Sequence, residues 1–140
     1  MMKFSICFIL ISYFTFATAF KGTCHIYSAG GGRALNPHPT SWRLMASSAS
    51  VPWVIDEDGK IGWSGGVMCA FGNGEIFVYD RNAQQNKGPN CKWNLKKSGA
   101  YYTIENQQYK GSYIGIYGQI VYGRKKTRLD SNPEHFQLKC

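Results

Sequence analysis

From Thr23 onward the apolar residues fall in short clusters separated by glycine, proline and asparagine, and no stretch holds a helical apolar period over three turns. β-Branched and aromatic residues dominate the clusters and the 16 glycines mark close turns, so many short strands are predicted. Thr23 to Tyr27 reads as a first strand, Ser28-Ala29-Gly30-Gly31-Gly32 as a turn, and Arg33-Ala34-Leu35 as a second strand closed by Asn36-Pro37-His38-Pro39. Ser41 to Met45 and Trp53 to Ile55 follow. Asp58-Gly59 then forms a two-residue hairpin signal between Trp53-Val54-Ile55 and Lys60-Ile61-Gly62-Trp63. Asn73-Gly74 is a second such signal, between Val67 to Phe71 and Glu75 to Tyr79. Asp80 to Asn90 is polar, without apolar period, and reads as a loop. Lys92 to Leu95, Tyr101 to Ile104, Ser112 to Ile116, Ile120 to Tyr122 and His135 to Leu138 complete the strands.

One strand pattern recurs. Trp53-Val54-Ile55, Trp93-Asn94-Leu95 and Phe136-Gln137-Leu138 share an aromatic-x-aliphatic form, spaced 40 and 43 residues apart, and regular spacing of this size marks repeated supersecondary units. Ile26, Leu35, Leu44 and Trp53/Ile55 of the first unit correspond to Ile104, Ile114, Ile120 and Phe136/Leu138 of the third. The middle unit offers Cys69 or Phe71, Phe77 and Trp93/Leu95. Three units of about 40 residues, each with four short strands, resemble a β-trefoil. The segment from Tyr102 to Leu138 is similar to the last repeat of ricin B-type lectins.

The resemblance implies that Trp53, Trp93 and Phe136 are core residues, each supplying a large apolar area to a small interior. Trp42 and Trp63, outside the repeated position, are then the better ligand candidates. The ricin-type pattern carries Gln two residues before the aromatic, where this chain has Val51, Cys91 and Glu134, and Asp after the second strand of each unit. Only Tyr79-Asp80 resembles the Asp placement, with Asn36 a weaker stand-in. Gly123-Arg124-Lys125-Lys126-Thr127-Arg128 resembles the heparin-contacting loop of fibroblast growth factors, another trefoil family.

Residues 1 to 19 read differently from the rest. Lys3, an apolar run from Phe4 to Phe16 and Ala17-Thr18-Ala19 form the pattern of a signal peptide, leaving residues 20–140 as a single domain. The apolar run is shorter than the roughly 20 residues of a membrane span, and no transmembrane segment is predicted. Without Lys3 the net charge of +8 falls to +7. Cys24, Cys69, Cys91 and Cys140 remain, an even number that favours two disulfides in an oxidising compartment. Four cysteines permit three connectivities. Pairing Cys24 with Cys140 and Cys69 with Cys91 is the simplest, and the trefoil resemblance, which sets the first and last strands side by side, supports the first of these pairs. Loop entropy would make them worth about 4.7 and about 3 kcal/mol respectively.

Tyr79 with Asp80, Asn82, Gln84 and Gln85 combines one aromatic face with planar polar groups suited to the vicinal hydroxyls of a glycan. Arg124, Lys125, Lys126 and Arg128 form the densest charge in the chain and would attract a polyanion such as a sulfated polysaccharide. The histidines are isolated and the cysteines are better used as disulfides, so no metal or other cofactor is expected. No Gly-x-Ser-x-Gly elbow occurs, and no nuclease motif surrounds His25, His38 or His135. The sequence therefore reads as an all-β, β-trefoil-like, secreted and monomeric recognition protein without catalysis, a lectin-like protein or small effector. The alternative is a host-protein-binding effector or protease inhibitor acting through its loops, and a secreted ribonuclease-like protein ranks below both.

Overall fold

The computed structural model describes residues 20–117, 120–125 and 132–140. The signal-peptide segment, residues 1–19, lies outside the described residues. The architecture is all-β, with strands β1 (Gly22–Ser28), β2 (Ala34–Pro37), β3 (Leu44–Ser47), β4 (Trp53–Ile55), β5 (Ile61–Trp63), β6 (Gly66–Ala70), β7 (Ile76–Asp80), β8 (Trp93–Ser98), β9 (Tyr101–Asn106), β10 (Ser112–Tyr117), β11 (Ile120–Lys125) and β12 (Phe136–Lys139). Short 3-10 turns occupy Gln84–Asn86, Pro89–Cys91 and Asn132–Glu134.

Every paired strand is antiparallel. β4, β1, β12, β9 and β8 lie side by side in that order, with β5 on the outer edge of β4. Trp93 N–H donates to the Gly59 carbonyl at 2.8 Å, which brings β8 against the β4–β5 turn and rounds the sheet into a barrel. The hairpins β2–β3, β6–β7 and β10–β11 cap one end. They meet one another through Met45 opposite Ile120, Arg43 opposite Phe77, and a 2.9 Å hydrogen bond from Gly123 N–H to the Gly74 carbonyl. Arg43 ties all three, with its guanidinium 4.9 Å from the Tyr122 ring centroid and 3.7 Å from the Glu75 carboxylate.

The repeated aromatics are the largest buried side chains: Trp53, Trp93 and Phe136 are at most 1% exposed. Each tryptophan satisfies its buried N–H on a backbone carbonyl, Trp53 on Leu35 at 2.9 Å and Trp93 on Met68 at 3.0 Å. Leu35 lies in β2 and Met68 in β6, so both rings reach the first strand of the preceding cap hairpin in the same way.

Three core assignments shift by one residue. Met68 and Ile76 face the core where the sequence suggests Cys69 or Phe71 and Phe77, and Val121 does so in place of Ile120, which is 49% exposed. Side chains alternate between the two faces of a strand, so a one-residue slip exchanges inside for outside. Cys69 instead joins Val67, Cys91 and Phe71 in a separate apolar cluster on the outer face of β6–β7. Asn36, the weaker ligand stand-in, is buried, and its amide donates to Ala34 O, Ser47 Oγ and Ala49 O. It is a turn brace.

Disulfides join Cys24 to Cys140 and Cys69 to Cys91. The first adjoins the β1–β12 pairing, where His25 stands opposite Lys139, and the second anchors the loop after β7 to the β6–β7 hairpin. Among the described residues no helix is long and apolar enough to cross a membrane.

Candidate saccharide site

Three local structures build a cleft at the side of the β6–β7 hairpin. The first is the β2–β3 turn. His38 N–H donates to Arg43 O at 2.8 Å and Trp42 N–H to His38 O at 3.0 Å, while the His38 ring nitrogen Nδ1 accepts from the backbone N–H of Thr40 and Ser41. This turn holds Trp42 at φ +61° and leaves its ring 47% exposed. The Trp42 carbonyl in turn accepts Val78 N–H at 2.8 Å, which fixes the turn against β7.

The second structure is the turn between β5 and β6. Trp63 pairs with Gly66 across the two residues Ser64 and Gly65, which have φ +50° and +79°. Positive φ at both central positions is what a two-residue type I′ hairpin turn requires. The third is the end of β7. Asp80 pairs with Gly66, one of its carboxylate oxygens accepts Asn82 N–H at 3.0 Å, and its carbonyl accepts the Asn86 amide at 2.9 Å.

Together Trp42, Trp63, Ser64, Gly65, Gly66, Val78, Tyr79, Asp80 and Asn82 line an open cleft of about 470 Å³. That volume lies within the range of small-molecule sites. The cleft offers the exposed Trp42, the partly buried Trp63, one carboxylate and one carboxamide. Tyr79 is 38% exposed, and its ring stacks on Phe77 at 5.4 Å with Phe71 edge-on at 5.8 Å. This packing holds the ring on the face of β7 opposite Val78 and Asp80.

Of the residues singled out in the sequence, the structure brings Tyr79, Asp80 and Asn82 to this cleft together with the two ligand-candidate tryptophans, Trp42 and Trp63. Gln84 and Gln85 sit exposed on the following 3-10 turn, outside the lining. Asp80 closes β7, third in the run β5–β8, rather than following the second strand as the ricin-type pattern would have it. Ser64 and Gly65 escaped the sequence reading, although Ser-Gly is itself a turn signal.

Arg124 and Lys125 lie on β11, opposite Tyr113 and Ser112. Lys126 and Arg128 fall outside the described residues. Burial first, then the nearby Glu105 and Glu134 carboxylates, raises the Tyr113 phenol above its ordinary value. His38 serves its turn, His135 is buried with its ring stacked on Tyr101 at 5.6 Å, and His25 is cross-strand to Lys139. Among the described residues no group of three His, Cys, Asp or Glu side chains could hold a metal ion.

No family model matches the chain, and no curated protein matches it either. Solved structures do. A salivary protein of the Cysteine and Tryptophan-Rich family from Culex quinquefasciatus superposes with a TM-score of 0.71 at 18% identity, covering 89% of this chain and 97% of that one. SeviL, solved bound to the asialo-GM1 saccharide, has a TM-score of 0.66 at 16% identity, covering 85% of this chain and 97% of that one. The Polyporus squamosus lectin, bound to a Neu5Acα2-6Galβ1-4GlcNAc epitope, has a TM-score of 0.66 at 16% identity. There the coverage is 84% of this chain and 48% of the lectin. At these identities the likeness is one of fold: this chain has an all-β, β-trefoil-like barrel.

Proposed function

We propose that this chain is a secreted, non-catalytic, lectin-like protein that binds a saccharide in the cleft of Trp42, Trp63, Tyr79, Asp80 and Asn82, with residues 1–19 as a cleaved leader and 20–140 as its one domain. The backbone of that cleft carries the reading. The non-glycine residues with positive φ among those described are Trp42 and Ser64, and both line it. A bulky residue in the left-handed region costs about 1–3 kcal/mol, and such strain concentrates where a site is held in shape. A strained turn that exposes a tryptophan, beside a second tryptophan and a carboxylate, fits the apolar face and hydroxyl edge of a sugar ring. Glycan ligands in two proteins of the same fold support the class.

Glycan-array screening followed by calorimetric titration tests this. Trp42→Gly removes the ring and relieves the backbone, so the variant should fold at least as stably and lose at least about tenfold in affinity, roughly 1.4 kcal/mol. A folded wild-type protein that retains no glycan, or a Trp42→Gly variant with undiminished affinity, would overturn the proposal.

A polyanion reading stands beside it, supported by the basic run Arg124, Lys125, Lys126 and Arg128 and the +8 charge of the chain. Neutralising these four cations should lower the salt needed to elute the protein from a heparin column, because retention scales with the number of phosphate- or sulfate-like contacts. Unchanged elution would remove this loop from the account.

A further inference from the structure

The cleft at Trp42 lies between the cap-hairpin turn of one four-strand run and the first turn of the next. Its counterpart one run further along is also open. There the β6–β7 turn (Phe71, Gly72, Asn73, Gly74) faces the β9–β10 turn (Tyr109, Lys110), with Ser112 of β10 and Gly123 of β11 closing a cleft of about 340 Å³. Position for position the strands correspond, whereas the chemistry does not. Where the first cleft has a carboxylate and two tryptophans, this one has a lysine, a phenol, a hydroxyl, a carboxamide and one phenyl ring.

Its floor is backbone. Gly74, at φ +89°, approaches so closely that a Cβ there would stand 2.8 Å from Gly123 O, and Gly123 N–H donates to Gly74 O at 2.9 Å. A Cβ on Gly72 would meet nothing nearer than the Tyr109 hydroxyl at 3.9 Å, so this residue leaves open space in the cleft. Two carboxylates stand near. Glu75 is engaged by Arg43 at 3.7 Å, and Glu105 accepts Gly111 N–H at 2.7 Å. Among the described residues neither forms an ion pair with Lys110. The chain leaves Gly123 directly into Arg124 and Lys125, with Ser112 opposite Lys125 in the β10–β11 register.

We infer that this second cleft binds the acidic unit of a saccharide, a carboxylate- or sulfate-bearing sugar, with Lys110 meeting the charge, Tyr109 and Ser112 the oxygens around it, and Phe71 the sugar face. Phe71 is also edge-on to Tyr79, which borders the first cleft, so the two sites are neighbours along one hairpin. The inference rests on the saccharide-binding reading for its ligand class but on different residues, and the two can fail separately.

Titration calorimetry with a neutral disaccharide (lactose), an unsulfated uronic-acid disaccharide and its sulfated form separates the sources of charge. Lys110→Gln should weaken binding of the acidic disaccharides about fivefold or more, the scale of one charge-assisted contact, and leave lactose unaffected. Gly72→Leu adds no charge and has a backbone that tolerates a side chain, so it should block the acidic ligands sterically. Trp42→Gly should leave them bound. Lys87→Gln, the same charge change on an exposed loop residue outside both clefts, is the control. Equal losses in Lys87→Gln and Lys110→Gln, with Gly72→Leu unchanged, would mean a diffuse positive field and would overturn the second site. Loss of acidic and neutral binding alike in Trp42→Gly would assign both to the first cleft.

Discussion

Trp42 and Gly59 occupy left-handed backbone for opposite reasons. At Trp42 the conformation presents a ring to solvent, and a glycine would serve the backbone better. At Gly59, φ is +89°, the carbonyl accepts Trp93 N–H, and any Cβ would overlap the Trp93 carbonyl oxygen. Here only glycine fits. Gly59→Ala should therefore cost about 2 kcal/mol or more, since it combines an incompatible φ with a steric clash against the β8 backbone. Urea denaturation of the two variants checks the contrast: the midpoint should fall for Gly59→Ala and hold or rise for Trp42→Gly. The Asp58-Gly59 signal already marked this turn in the sequence, because Asp-Gly reports a local demand. Trp42 carried no such mark, as Ser41 to Met45 reads as a strand, whereas β3 begins only at Leu44 and Trp42 belongs to the turn before it.

At the scale of elements, the cap hairpins owe their mutual placement to few contacts, and Arg43 shares in most of them. Its stack on Tyr122 and its ion pair with Glu75 join β3, β11 and the β6–β7 turn. Arg43→Ala should destabilise the domain by about 1–2 kcal/mol, the sum of a partly buried cation–π contact and a half-exposed ion pair. Because the clefts are bounded by those turns, it should also weaken saccharide binding without touching either lining. A thermal melt that shows no change would sink this account of the cap.

The strands themselves were largely legible, since alternation and turn signals are local. Their faces were less so. Val67-Met68-Cys69-Ala70-Phe71 is apolar throughout, so no period in it distinguishes the core side from the outer side. The choice is made by Cys91, which covers the outer face from a loop distant in sequence. Ile120 and Val121 present the same ambiguity at the start of β11.

At the scale of the whole molecule, a chain this small draws part of its stability from covalent closure. The Cys24–Cys140 bridge closes a separation of 116 residues and Cys69–Cys91 one of 22. Replacing Cys69 and Cys91 by Ser should cost about 3 kcal/mol by loop entropy and also free the loop that follows Asp80 and carries Asn82. Saccharide affinity at the first cleft should fall more steeply than stability alone predicts, which denaturation and titration of one preparation would reveal. Retained affinity would mean that the loop holds its shape without the bridge.

Sequence by itself determined the strand pattern, the three aromatic anchors of the core, the four cysteines that form disulfides and the basic charge. All of these are properties of residue type and spacing. Tertiary structure decided which side chains share a cleft. Trp42, Trp63 and Asp80 come from three separate elements, as do Phe71, Lys110 and Gly123, and only long-range strand pairing sets the turns of successive runs face to face. The aromatic repeat located the interior because burial depends on each strand's own alternation. The clefts depend on the angle and register between hairpins, which no single stretch of chain encodes.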